Sequence, residues 1–325
     1  MKYTDYSVEY KAWFLRGLKL AITVGMFLLI ARSVDLSHTF QLMRGASLPL
    51  LGIVYVALAT QALLAVARWR IILIFQGLRL DYLRLARFYW IGLFFNQVLP
   101  SSVGGDAMRA YCLVRGGCGI GTASVAVLLD RILGLIGLVL LVIICLPMSI
   151  EFIHDVSTRW GVLLMALGTA TIVCTIPLLD RLAKRFRHWR FAQGMIMLAR
   201  VARQILFTTP TNLKLLFLSM VVHLISILSV GLLAPAMGIE INWLAFLIVV
   251  PIASLLMTIP ISIAGWGVRE GVMVVGLGYA GIQPEHAVAL SVLYGLLLLA
   301  VALPGGLAWM GGGNRGFQVE RSDAG

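Results

Sequence analysis

Long apolar runs separated by short polar clusters set the rhythm of the chain. Uncharged stretches recur over Gly45–Ala67, Ile132–Ile150, Trp160–Leu179, Leu215–Ile239, Ile241–Val268 and Ala287–Met310. A helix needs about 20 such residues to cross the hydrocarbon core of a bilayer. The pattern therefore predicts an all-α, polytopic membrane protein. A shorter run, about Lys19–Val34, is flanked by snorkelling Lys19 and Arg32. With no small-residue cleavage site after it, it reads as a retained first helix and not as a signal peptide. The organisation expected is one integral membrane domain over residues 1–310, with repeat halves at about 45–150 and 210–310. A flexible cytoplasmic tail follows at 311–325.

Composition sharpens this reading. Of the 325 residues 60% are hydrophobic and only 12% are charged, with a mean hydropathy of +0.96. A soluble domain would carry roughly twice that charge. The net charge of +12 would suit a nucleic-acid binder, but its distribution does not. Four basic residues (Lys2, Lys11, Arg16, Lys19) sit at the N-terminus, five lie over Arg68–Arg87, eight over Arg181–Lys214 and two in the tail. The loops assigned to the other face hold only Arg32, Arg44 and Arg159. This alternation is the positive-inside pattern, so both termini are expected to face the cytoplasm of a cytoplasmic (inner) membrane. The basic segment ending in HWRFAQGMIMLARVARQ is expected to form an interfacial amphipathic helix.

The same charge map exposes an anomaly. The basic segment ending at Arg87 is cytoplasmic, and EFIHDVSTR (Glu151–Arg159) is poor in basic residues and lies outside. One crossing, about Thr122–Leu146, already joins the two sides. Phe88–Leu99 must therefore enter the membrane and turn back, at Pro100 and Gly104–Gly105. Irregular backbone at that depth is tolerated only inside protein or beside a wet cavity.

A second segment repeats the pattern. Pro260 to Arg269 spans the same nine positions as Pro100 to Arg109, with Ser262 matching Ser102 and Gly265 matching Gly105, every match offset by 160. Gly267 falls at the same break. The second segment follows Glu240, on the outside, and so enters from the opposite face. Residues 88–109 and 243–270 are therefore expected to form two re-entrant or broken helical hairpins, an inverted repeat meeting near the midplane. Paired Gly/Pro-interrupted spans point to a transporter's binding site.

The charges at the breaks have two readings. Arg109 and Arg269 fall near the start of restarting helices, expected near Ala107 and Val268, where the macrodipole disfavours a cation. Asp106, Asp130 and Glu270 stand against Arg109, Arg131 and Arg269, so a closed structural network is one reading. The other is a ligand phosphate held by the guanidinium forks and by free N–H groups at the helix starts.

Other candidates carry less. Four cysteines (112, 118, 145, 174) lack metal-site spacing and read as free thiols. His223, inside an apolar span, is either a proton relay or, more commonly for such a residue, a packing contact. GGCGIG (Gly116–Gly121) follows no strand and is not a dinucleotide site. No metal cluster, nucleotide motif or nucleophile elbow is present, so neither enzyme activity nor a cofactor is expected.

Three motifs carry a resemblance. N-x-x-x-P-x-x-x-GGD-x-x-R (Asn96 to Arg109), LLDRILGLIGL (Leu128–Leu138) and PISIAGWGVREG (Pro260–Gly271) resemble the lysylphosphatidylglycerol synthase transmembrane-domain family of flippase-like proteins. The similarity runs from about Trp13 to Met310 and implies a stand-alone member without the synthase domain. It also implies lipid translocation, since the fused members move aminoacylated phosphatidylglycerol between leaflets. Two departures stand out. Ala264 occupies a place where the motif usually has Gly, and Leu293–Leu297 lacks the Arg that many members carry near Tyr294.

The expected substrate is thus an amphiphile with an anionic phosphate headgroup: an anionic or aminoacylated phospholipid, or a lipid-linked glycan. Arg109, Arg131 and Arg269, with Asn96, Ser102 and Ser262, would take the headgroup. Asp106, Asp130 and Glu270 would hold the guanidiniums when the site is empty. Pro100, Gly104, Gly105, Pro260, Gly265 and Gly267 would form the hinges. A non-transporting accessory subunit, partnering a separate lipid synthase or a glycolipid or polysaccharide assembly system, is the competing expectation.

Overall fold

The computed structural model describes residues 34–99, 103–153, 155–175, 190–208, 211–240, 242–259, 262–311 and 320–321, with scattered positions between 18 and 32. Eleven helices are found among them: α1 (Leu36–Arg44), α2 (Leu48–Phe75), α3 (Tyr82–Val98), α4 (Gly104–Arg115), α5 (Ile120–Phe152), α6 (Val156–Thr175), α7 (Arg190–Arg203), α8 (Thr211–Ala236), α9 (Trp243–Met257), α10 (Val268–Gly278) and α11 (Pro284–Met310). Four are long and apolar enough to cross a membrane: α2, α5 over Ile120–Met148, α8 and α11. Leu78–Arg79 pairs antiparallel with Glu320–Arg321, which ties two tail residues to the turn after α2.

Neither interrupted segment is a straight span. The Asp81 carboxylate starts α3 by accepting from the Leu83 and Arg84 amides, and α3 stops at Val98. Its 17 residues reach about 25 Å, short of the bilayer core. The chain then folds back, and α4 packs along α3. The approach is so close that a Cβ on Gly105 would overlap the Gly92 carbonyl oxygen. Only glycine fits there. The second segment repeats this: α9, begun by the Asn242 side chain, ends at Met257, and α10 packs back against it. Pro100, Ser102 and Pro260, expected at the turns, lie outside the described residues.

Helices α2 to α5 have counterparts about 160 residues later in α8 to α11, and the packing follows the same rule. Just as α3 packs on α11, α9 packs on α5; α5 packs on α8 and α11 on α2. The long helices α2 and α8 run antiparallel. The Ser47 amide at the head of α2 donates to the Ala236 carbonyl at the foot of α8, and Leu215 at the head of α8 shares a core with Ile72 and Leu73. Two cores result. One joins the α3–α4 hairpin to the end of α2 and the start of α5. The other joins α9 and α10 to the start of α2, the end of α8 and the start of α11. The hairpins therefore sit at opposite ends of the bundle.

Helix α7 is amphipathic, as expected: Ala202 is buried in the first core, Met195 to Leu198 are half-buried, and Arg200 and Arg203 are exposed. One expectation needs correction. The first hairpin's second helix starts earlier than expected. It begins at Gly104 with Asp106 as its first-turn acid, so Arg109 falls in the second turn, clear of the positive helix end. Arg269 does lie in the first turn of α10.

Candidate functional site

A cavity of about 380 Å³ opens between the two halves. Asn96 of α3 and Asp106 of α4 face Ser254 and Thr258 at the end of α9 across it. Arg68, Arg109, Asp130, Arg131 and His223 complete its polar wall. Charge in so dry a place must be paired, and the pairing is extensive. Asp130 on α5 uses both oxygens: Oδ1 accepts from Arg68 Nε at 2.8 Å and Oδ2 from Arg109 Nη2 at 2.8 Å. Asp106 stands 3.5 Å from Arg109 Nη1 through Oδ1, and its Oδ2 accepts from Arg131 Nη1. Three guanidiniums thus share two carboxylates among the described residues.

The network is graded by depth. Asp130 is only 2% exposed and Arg109 5%, whereas the Arg131 side chain is 30% exposed and marks the wet end. Local sequence makes the dry end habitable. Gly92 leaves room for the stem of Arg109, whose guanidinium lies 4.1 Å from the Trp69 ring centre and 4.5 Å from that of Tyr89. Such cation–π contacts recover part of the lost hydration. Its Nε is buried and has no hydrogen-bond partner. The wall also reaches the other half: Arg68 Nη1 donates to Ser219 Oγ on α8 at 3.0 Å, and His223 Nε2 lies 3.0 Å from the Gly134 carbonyl.

The second charge cluster is separate and closed. Arg269 donates from Nη2 and Nε to Glu270 Oε1 at 2.7 and 3.1 Å, and Nε also meets Ser291 Oγ at 3.0 Å. The Ser291 hydroxyl in turn donates to Glu270 Oε1 at 2.9 Å, and Glu270 Oε2 takes the Gly267 amide at 2.6 Å. A Cβ on Gly295 would overlap the Arg269 guanidinium, so this glycine makes its niche. Glu270 is fully buried. Tyr294 lines the cavity with its ring centre 5.9 Å from Arg269 Cζ, so it stands between the cluster and the cavity.

The expected residues therefore divide. The structure gathers Asn96, Asp106, Arg109, Asp130 and Arg131 around one cavity, while Arg269 and Glu270 pair beside it. Asn96 Oδ1 accepts the Gly105 amide at 2.9 Å and so holds the hairpin. Ser262 is buried, and its hydroxyl has no partner. Gly104, Gly105, Gly265 and Gly267 lie at the helix starts, the last two with φ of 79° and 85°. No three His, Cys, Asp or Glu side chains among the described residues come together as a metal site would need. Arg68 is the residue that sequence reasoning misplaced. Counted with the cytoplasmic basic segment, it is instead buried in α2 as a partner of Asp130. Its helical spacing from Ala65 and Ile72, both on the buried face, is the signal that marks it.

The chain matches the family described as lysylphosphatidylglycerol synthase TM region over residues 17–306 and belongs to it. Two UPF0104 membrane proteins of Methanothermobacter thermautotrophicus are similar to it. One is 24% identical over 304 residues, 84% of this chain and 86% of the relative. The other is 26% identical over 235 residues, 64% and 68% of the two chains. A UPF0104 membrane protein of Pyrococcus horikoshii is 23% identical over 191 residues, 58% of this chain, and this chain spans 55% of that relative's length. The protein is thus a multi-pass membrane protein of a family with lipid-related function.

Proposed function

We propose that this membrane protein translocates an amphiphile with an anionic phosphate headgroup between the leaflets of the cytoplasmic membrane, without a covalent step or a cofactor. Its halves act as an inverted repeat whose re-entrant hairpins enter from opposite faces. Three features support the reading: the shared offset of equivalent helices, the placement of the hairpins at opposite ends of the bundle, and the polar cavity between halves. The headgroup enters the cavity while its tails stay in lipid.

The observation that carries the proposal is the Asp106–Arg109–Arg131 face on that cavity. The 3.5 Å separation of Asp106 from Arg109 is too long for a good hydrogen bond, and Arg109 Nε is a buried donor with nothing to bind. A phosphate suits both. It takes the place of Asp106 between the two guanidiniums, and Asp106 returns when the site empties. Arg68 and Asp130 stay paired beneath and hold Arg109 in position. Reconstitution into proteoliposomes tests this: phospholipid analogues labelled in one leaflet are expected to cross faster with the protein than without it. No acceleration for any phosphate-bearing lipid contradicts translocation and leaves the accessory-subunit reading.

A further inference from the structure

A second cavity, of about 500 Å³, lies away from the charged site and has almost no polar lining. It is a furrow with two walls and a floor. Gly161 and Met165 of α6 form one wall, Val272 and Val275 of α10 the other, and Ile248 and Ile252 of α9 the floor. Val275 is 60% exposed, and a Cβ on Gly161 would meet nothing within 4 Å. An open apolar furrow on a membrane protein is covered by whatever the bilayer supplies. The lining is aliphatic almost throughout and turns polar only where Thr158 and Tyr279 bring hydroxyls together at one end. An occupant with an apolar arm and a polar end suits that.

We propose that the furrow holds one acyl chain of a resident phospholipid, bridging α6 to the α9–α10 hairpin and distinct from the transported amphiphile. The polar end of the furrow fits that occupant. Thr158 Oγ1 lies 3.3 Å from the Tyr279 hydroxyl, closing the apolar lining with a pair of hydroxyls. Beside them stand Arg159, whose Nε donates to the Ile153 carbonyl, and Asp155, whose Oδ2 accepts the Thr158 amide and hydroxyl. One cation and one anion at the head-group end favour no net charge. Recognition therefore rests on the chain and not on the headgroup. Because the lipid bridges α10 to α6, it stiffens one hairpin and leaves the other, at the opposite end of the bundle, untouched.

Native mass spectrometry of the full chain, exchanged into phospholipids of defined composition and released from detergent, tests this without any transport assay. The wild-type chain is expected to retain one long-chain phospholipid, equally for phosphatidylglycerol and phosphatidylcholine with matched tails, and to lose it on exchange into short-chain lipid. Gly161→Phe fills open space and is expected to fold normally and lose at least nine-tenths of that retention. Val275→Phe, from the opposite wall, is expected to do the same. Equal retention in both variants, retention that follows headgroup charge, or a dimer dissociated by Gly161→Phe in place of a bound lipid each overturns the proposal.

Discussion

Arg68 and Asp130 form a buried pair, 2.8 Å from Nε to Oδ1, that ties α2 to α5 beneath the central cavity. The pair is not isolated, since the other Asp130 oxygen holds Arg109. One carboxylate thus fixes two guanidiniums, and its removal leaves two buried cations. Asp130→Ala is expected to destabilise the protein by about 3–5 kcal/mol or more, read by thermal unfolding in detergent. A loss below about 1 kcal/mol would show that Asp130 is dispensable to the fold.

Arg269 behaves differently from Arg109 because its shell is already closed by Glu270, Ser291 and the Gly295 niche. Arg269→Lys keeps the charge but loses the planar fork, and is expected to cost about 1.5–3 kcal/mol. Arg269→Ala strands Glu270 and is expected to cost more. Normal stability in both variants, with transport abolished, would return Arg269 to the ligand site that sequence reasoning assigned to it.

Ala264 carries a φ of 50°, the left-handed region, in the turn before α10. That conformation costs an L-residue about 1–2 kcal/mol, which a glycine avoids, against a cost of about 0.4–1 kcal/mol for its freer unfolded state. Ala264→Gly is expected to raise the melting temperature slightly. A drop would mean that the Ala264 methyl group packs usefully despite its backbone.

Asn96 accepts the Gly105 amide at 2.9 Å and so pins the start of α4 to α3. Asn96→Ala is expected to cost about 1 kcal/mol, as for loss of a helix cap. It should also speed hydrogen exchange at the first turn of α4, and unchanged exchange there would assign Asn96 no holding role.

Much of this was legible in the sequence because it rests on backbone rules. The apolar runs reported α2, α5, α8 and α11. The paired Gly-rich breaks, offset by 160, reported where α3 and α9 end. The glycines that permit close approach, Gly105 above all, were visible as motif members. What escaped was long-range pairing. Arg68 lies within two residues of Arg70 and close to a basic loop, so charge counting drew it to the cytoplasm. Only the fold of α5 onto α2 reveals its partner, 62 positions away. The same holds for Ser219 and Ser291, ordinary small polar residues in apolar helices until packing sets an arginine against each.

The most direct measurement is transbilayer movement of a labelled phospholipid in proteoliposomes containing the wild-type chain or Arg131→Gln. Arg131 is the most exposed guanidinium of the cavity, so its neutral replacement should leave the melting temperature near that of the wild type. Removing one charge-assisted contact to phosphate, worth about 1.5–3 kcal/mol, should slow translocation about tenfold or more. A folded Arg131→Gln protein that moves lipid at the wild-type rate would contradict phosphate recognition at the Asp106–Arg109–Arg131 face.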